Sequence, residues 1–330
     1  MPDILIIVVV VLSLAFDYIN GFHDTANAIA TSVSTRALTP RAAVWLAAGL
    51  NFAGAMYSTG VAKTIGGEIV KSAQMVTEAT IIAAMIGAIA WNLVTWWFGI
   101  PSSSSHALVG GVIGAMLVSK GSSGLNPEGI LKILASLVLS PLIAMVLGVV
   151  IMTALFWIVS KMAPALINNK FRRLQILSAA MMSFSHGSND AQKAMGIITL
   201  SLVSAGYLPS LEVPTWVKMA AAISMGLGTA AGGWRIIRTM GGKIFKLEPV
   251  SGFAADLNSS LVIFGATLMH LPVSTTHVVS GSIMGVGTAK RLSAVRWGVA
   301  QQMATAWVLT IPCTALVSAI AYKLITALAL

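Results

Sequence analysis

The sequence predicts an all-α polytopic membrane protein made of two inverted-topology repeats, with discontinuous helices and re-entrant Ser/Thr hairpins. Three observations predict it. First, 57% of the 330 residues are hydrophobic and only 9% are charged, against about 25% charged in an ordinary soluble domain. Second, a set of motifs recurs in the same order at nearly constant spacing. Third, equivalent loops of the two halves differ in charge. The composition excludes a disordered chain, a nucleic-acid partner and almost any soluble enzyme, because the few charged residues cannot cover a soluble surface. The net charge of +10 is the signature of basic loops that anchor helices at one membrane face. Cys313 is the single cysteine, so no internal disulfide and no Cys metal site are expected. No basic segment precedes the first apolar run and Asp17 interrupts it, so no cleaved signal peptide is expected.

The repeat defines the elements in order. Each half opens with a long apolar stretch, 4–35 and 174–204, interrupted by an aspartate motif: Gly21-Phe-His-Asp-Thr-Ala-Asn-Ala28 in the first, Gly187-Ser-Asn-Asp-Ala-Gln-Lys-Ala194 in the second. A plain span follows, 41–58 and 215–231. A polar segment comes next, 59–78 and 232–250, in which Thr64-Ile-Gly-Gly67 matches Thr239-Met-Gly-Gly242. An apolar helix then runs into Pro101-Ser-Ser-Ser-Ser-His106 or Pro272-Val-Ser-Thr-Thr-His277 and a Gly-rich helix, 79–119 and 251–289. One constant offset also pairs Gly110 with Gly281 and Gly114 with Gly285. A last apolar stretch carries a proline, 130–160 and 297–327. The halves are 1–160 and 174–330, joined by a short basic cytoplasmic segment, 161–173, with Lys170, Arg172 and Arg173. The proline-bearing stretches read either as one span each or as two short helices.

Charge sets the orientation. Segment 232–250 holds Arg235, Arg238, Lys243 and Lys246 against Glu248, whereas 59–78 balances Lys63 and Lys71 with Glu68 and Glu78. The positive-inside rule therefore places equivalent loops on opposite faces, which is an inverted repeat. Arg36, Arg41 and the joint fall inside and both termini outside.

The Ser/Thr motifs read as an anion site. Proline stops one helix and small hydroxyl residues cap the next. A helix N-terminus rimmed with hydroxyls binds an anion without Lys or Arg. Ser103, Ser104 and Ser105 in one half, with Ser274, Thr275 and Thr276 in the other, are the candidate substrate-binding residues. Asp24 and Asp190 lie at equivalent points of apolar stretches, where an isolated carboxylate costs about 2.5–3.5 kcal/mol. They call for a partner cation, with Asn27, Asn189 and Gln192 offering amide groups beside them. Carboxylates repel an anion, so the two sites make sense together if a cation accompanies the anion: the pattern predicts a symporter. Lys193 and His23 favour protons over sodium. Lysine can occupy a sodium's place, and histidine is the side chain whose charge changes near neutral pH. His106 and His277 read as supports of the hairpin backbone, His186 as a wall of the Asp190 cavity, and Asp17 as a cap or anchor. Asp256 has no acidic counterpart, since Met85 aligns with it. A passive anion channel and an intramembrane hydrolase are the rival classes. A channel needs no paired carboxylates, and a nucleophilic serine needs one base, not a symmetric pair.

These motifs resemble those of the inorganic phosphate transporter family, over essentially the whole chain. The resemblance implies phosphate uptake down a cation gradient, an inverted-repeat fold in a cell membrane and frequent homodimers. It also implies that Asp24 and Asp190 are coupling residues and that the six Ser/Thr residues line the phosphate pocket. Sodium-coupled members carry Asn where this chain has His23 and Lys193. The chain is thus more similar to the bacterial proton-driven branch, some of whose members carry a neutral metal–phosphate complex. No resident cofactor or metal is expected. Sulfate remains an alternative substrate by charge and shape.

Overall fold

A computed structural model describes residues 2–328, which form thirteen α-helices and, among those residues, no β-sheet. The first half comprises α1 (Pro2–Ser34), α2 (Pro40–Ala55), α3 (Gly60–Glu68), α4 (Glu78–Phe98), α5 (Ser104–Lys120) and α6 (Pro127–Val159). The second comprises α7 (Pro164–Asp190), α8 (Gln192–Ser204), α9 (Thr215–Ala231), α10 (Trp234–Gly242), α11 (Pro249–Leu268), α12 (Thr275–Lys290) and α13 (Trp297–Ala327). Four of them, α1, α4, α6 and α13, are by length and composition able to cross a membrane. The outermost are α6 and α13. They expose Leu131, Val146 and Trp157, and Val308, Leu316 and Leu324, an apolar face that water would not tolerate and lipid does.

The packing is reciprocal. Helix α5 lies on α13 and α4, while α12 lies on α6 and α11; α1 packs on α9, and α7 on α2; α3 meets α8, and α10 meets α1. Each pairing thus has a partner with the halves exchanged, as two-fold related units require. Glycines allow the closest approaches. A Cβ at Gly114 would lie 2.1 Å from the Ala315 carbonyl oxygen, and one at Gly285 would lie 2.1 Å from that of Met145.

The Ser/Thr hairpins form as expected. Gly99 closes α4 with φ 65°, Pro101 keeps the helix from continuing, and Ser103 caps α5 by accepting from the His106 N–H. Ser274 caps α12 in the same way through His277. The proline-bearing stretches are single helices, with Pro141 and Pro312 inside α6 and α13, the first of the two readings. Two features depart from the sequence reading. The segment 161–173 is mostly helical, because Pro164 occupies the first turn of α7, where its missing N–H is no loss. The aspartate motif breaks only the second half: α7 ends at Asp190, whereas α1 runs unbroken past Asp24. At the break Gln192 Nε2 donates to the Ser188 carbonyl at 2.5 Å, the acceptor that its own backbone N–H would use in a continuous helix. The equivalent residue in α1 is Ala26, which has no competing donor.

Candidate functional site

The N-termini of α5 and α12 meet in the middle of the molecule. Ser105 Oγ donates to the Val273 carbonyl at 2.8 Å, and the His106 and His277 rings lie 4.5 Å apart. Against these tips lie the aspartates. Ser104 Oγ donates to Asp24 Oδ2 at 3.1 Å and Thr276 Oγ1 to Asp24 Oδ1 at 3.1 Å. Thr275 Oγ1 donates to Asp190 Oδ2 at 3.2 Å. Asn27 Nδ2 donates to Thr276 Oγ1 at 2.9 Å. Lys193 Nζ lies 2.9 Å from Asp190 Oδ2 and donates to Ser104 Oγ at 3.1 Å. All of these side chains are buried, the lysine completely.

His23 completes the first centre. Its Nδ1 is 2.8 Å from Asp24 Oδ1 and its Nε2 3.1 Å from Thr95 Oγ1. Thr95 already donates its proton to the Trp91 carbonyl at 3.0 Å, so a protonated ring has an acceptor at each nitrogen. His186 completes the second. Its Nδ1 meets Asn51 Oδ1 at 3.0 Å, and its Nε2 stands 3.6 Å from Asp190 Oδ2. Asp24, His186 and Asp190 could present one ligand atom each within 4.8 Å of one another.

Of the residues expected to act together, the structure gathers His23, Asp24, Asn27, Ser104, Asp190, Lys193, Thr275 and Thr276. The others support them. Ser103 and Ser274 spend their oxygens capping the two helices. Asn189 ties the second hairpin in place: it donates to Thr267 Oγ1 and the Leu271 carbonyl and accepts from the Val273 N–H. Gln192 points away and accepts from the Ala62 N–H at 3.0 Å. His106 Nδ1 contacts Ser103 Oγ at 2.8 Å, the support expected of it, while His277 stacks on Trp307.

Asp17 is no anchor at a membrane face. It is fully buried, neither carboxylate oxygen has a hydrogen-bond partner, and it faces the charges of Asp190 and Lys193. Asn20, which donates to Asp190 Oδ2 at 3.3 Å, is a member that the motif comparison missed. The available signal was periodicity. Asp17, Asn20, Asp24, Asn27, Thr31 and Thr35 recur every three or four residues, a buried seam along α1 about 27 Å long at ~1.5 Å per residue. Thr95 and Asn51 carry no such signal.

Comparison with known proteins agrees with this arrangement. Residues 20–318 match the family described as the phosphate transporter family. The chain is 54% identical over 321 residues to a "Probable low-affinity inorganic phosphate transporter" of Bacillus subtilis, covering 97% of this chain and 96% of that protein. It is 48% identical over 320 residues to one of the same description from Rhizobium meliloti, covering 96% of both. Among solved structures it is similar to "The sodium-dependent phosphate transporter", with TM-score 0.88 and 27% identity over 98% of this chain and 99% of that one. The chain belongs to the phosphate transporter family and is a membrane protein, not an enzyme.

Proposed function

We propose that this family member is a secondary active symporter that imports inorganic phosphate together with protons. One observation carries the reading: hydroxyls at the first turns of α5 and α12 donate to the two buried carboxylates. The hydroxyls of Ser104 and Thr276 donate to Asp24, and that of Thr275 donates to Asp190. Each hydroxyl has one proton to give. Phosphate at the first turns of α5 and α12 requires those same protons, together with the first-turn N–H groups and the positive dipole ends. An ionised carboxylate holds the hydroxyls. A protonated one accepts more weakly and can itself donate to the anion. Protonation of Asp24 and Asp190 therefore frees the phosphate donors and removes the like-charge repulsion in the same event. Each ligand then favours binding of the other, which is the thermodynamic content of coupling.

The charge balance supports an accompanying cation. Asp17, Asp24 and Asp190 are buried around one ammonium, that of Lys193, and uncompensated buried charge costs several kcal/mol per ion. Protons supply the deficit most directly, because Lys193 already stands against Asp190 and His23 gives Asp24 a titratable partner. The loaded site, buried in this conformation, then opens to the other side as the halves move against one another.

Sodium coupling is the second reading. It is favoured by the clustered atoms of Asp24, His186 and Asp190 and by the description of the similar solved structure.

The test is labelled phosphate uptake into liposomes holding the purified protein, under an imposed proton gradient without sodium and then a sodium gradient without a pH difference. Cold sulfate serves as competitor, and each arm is run with and without divalent metal. Accumulation driven by protons alone, insensitive to sulfate, is expected. Accumulation that requires sodium would transfer the coupling role to sodium, and equilibration without accumulation would make the protein a channel. A metal requirement would identify the cargo as a metal–phosphate complex.

A further inference from the structure

We propose that Asp256 is a proton station on a one-sided polar passage from the central carboxylates to the basic cavity beside Arg36 and Arg172. This rests on the proton-coupled reading above. The passage follows the α1 seam. Beyond Asn27, Thr31 Oγ1 donates to Asp256 Oδ1 at 2.5 Å, while Asp256 Oδ2 has no hydrogen-bond partner. One turn on, Thr35 Oγ1 donates to Gln175 Oε1 at 2.6 Å. Thr35 in turn lines a cavity of about 700 Å³ that it shares with Arg36, Asn168, Arg172 and Glu248. The cavity lies on the side where the positive-inside rule puts the cytoplasm.

Asp256 is 1% exposed. The groups that face it are Thr31 from α1 and Gln175 and Ser178 from α7. The helices packed on α11 are α1, α3, α6, α7 and α12; among the described residues, the side chains from them that act on Asp256 are uncharged, and Lys63 and Glu68 of α3 are not among them. Gly252 makes room for the amide: a Cβ there would lie 2.2 Å from Gln175 Nε2.

The opposite half shows what the same place looks like without this task. The positions equivalent to Gln175, Ser178, Asp256 and Thr31 are Val9, Leu12, Met85 and Ile197. All four belong to one apolar cluster, and only Ser201, opposite Thr35, keeps a hydroxyl. Two-fold packing does not require this difference. A fixed path for proton release on the cytoplasmic side alone accounts for it.

In the step itself a proton leaves a carboxyl of the central pair, restoring that carboxylate. It moves about 10 Å along α1, at ~1.5 Å per residue, a gap that water admitted between Asn27 and Thr31 would have to bridge. It binds the Asp256 carboxylate and leaves past Thr35 and Gln175, one turn on, for water in the cavity that Thr35 lines.

The experiment compares two modes of the reconstituted protein: net proton-driven phosphate uptake, and exchange of labelled for unlabelled phosphate across liposomes loaded on both sides. Exchange returns the loaded carrier and needs no proton release. D256N is expected to lower net uptake by about tenfold or more while leaving exchange near the wild-type rate, which also shows that the variant is folded. T31V is a milder second variant, with the same pattern and a smaller loss. Normal net uptake by D256N would overturn the proposal. So would equal loss of both modes in T31V, which would make the segment part of the substrate site or the frame. If the wild-type protein instead runs on sodium alone, the proton reading itself falls. That outcome is read in the wild type, before any variant.

Discussion

Asp24 stands in an unbroken helix and leans on His23, whereas Asp190 ends a helix and leans on Lys193. Both accept a hydroxyl from the first turn of a Ser/Thr helix, Ser104 in one case and Thr275 in the other. The scaffold is thus nearly two-fold and the charge within it is not. Duplication supplies two equivalent backbone frames, and single side chains then decide what each frame does. An ammonium stands at one centre and an imidazole ring at the other.

The comparison breaks most sharply at the second centre. Asp190→Asn leaves the Lys193 ammonium without its nearest counter-charge, and removing one partner of a buried pair costs about 3–5 kcal/mol. We expect lower thermal stability in detergent and loss of coupled uptake. Adding Lys193→Met should restore most of the stability and none of the uptake. Near-normal proton-driven uptake by Asp190→Asn would remove it from the coupling machinery.

A smaller effect sharpens the contrast in charge. Replacing His23 and Lys193 together by Asn gives both centres the residues of sodium-coupled members. Sodium should then stimulate phosphate uptake where it had little influence before, while the proton-driven component falls. Unchanged ion dependence at normal expression would mean that coupling is chosen elsewhere.

The smallest effect addresses the backbone. Gln192→Ala makes the second centre resemble the first, where Ala26 stands. It lets the Ser188 carbonyl take a helical partner but strands the Ala62 N–H, for a net loss of about 1–3 kcal/mol. A modest drop in melting temperature with uptake retained is expected. Abolished uptake at normal expression would show that the break itself is needed for transport.

Much of this site was legible in the chain. The paired motifs pointed to both aspartates, to the hydroxyls of Ser104, Thr275 and Thr276 that meet them, and to the odd pair His23 and Lys193. What failed to show was direction. Gln192 and Asn189 have the same chemistry as Asn27, yet they bond to backbone of α3 and of the hairpin because they lie on other faces of α7 and α8. Asp17, beside the expected helix break, read as a cap or anchor, and helical periodicity puts it on the same seam as Asp24.

The sequence by itself determined the membrane class, the duplication and the residue types that meet at the centre. Composition, order and spacing are properties of the chain alone. Only the tertiary structure decided which hydroxyls serve a carboxylate and which cap a helix, since both uses need the same residue in the same turn. It alone showed that the aspartate motif breaks one helix and spares the other, a difference that motifs of matching spacing do not encode. And it alone joined Thr31 to Asp256, a contact between distant segments that no local pattern encodes.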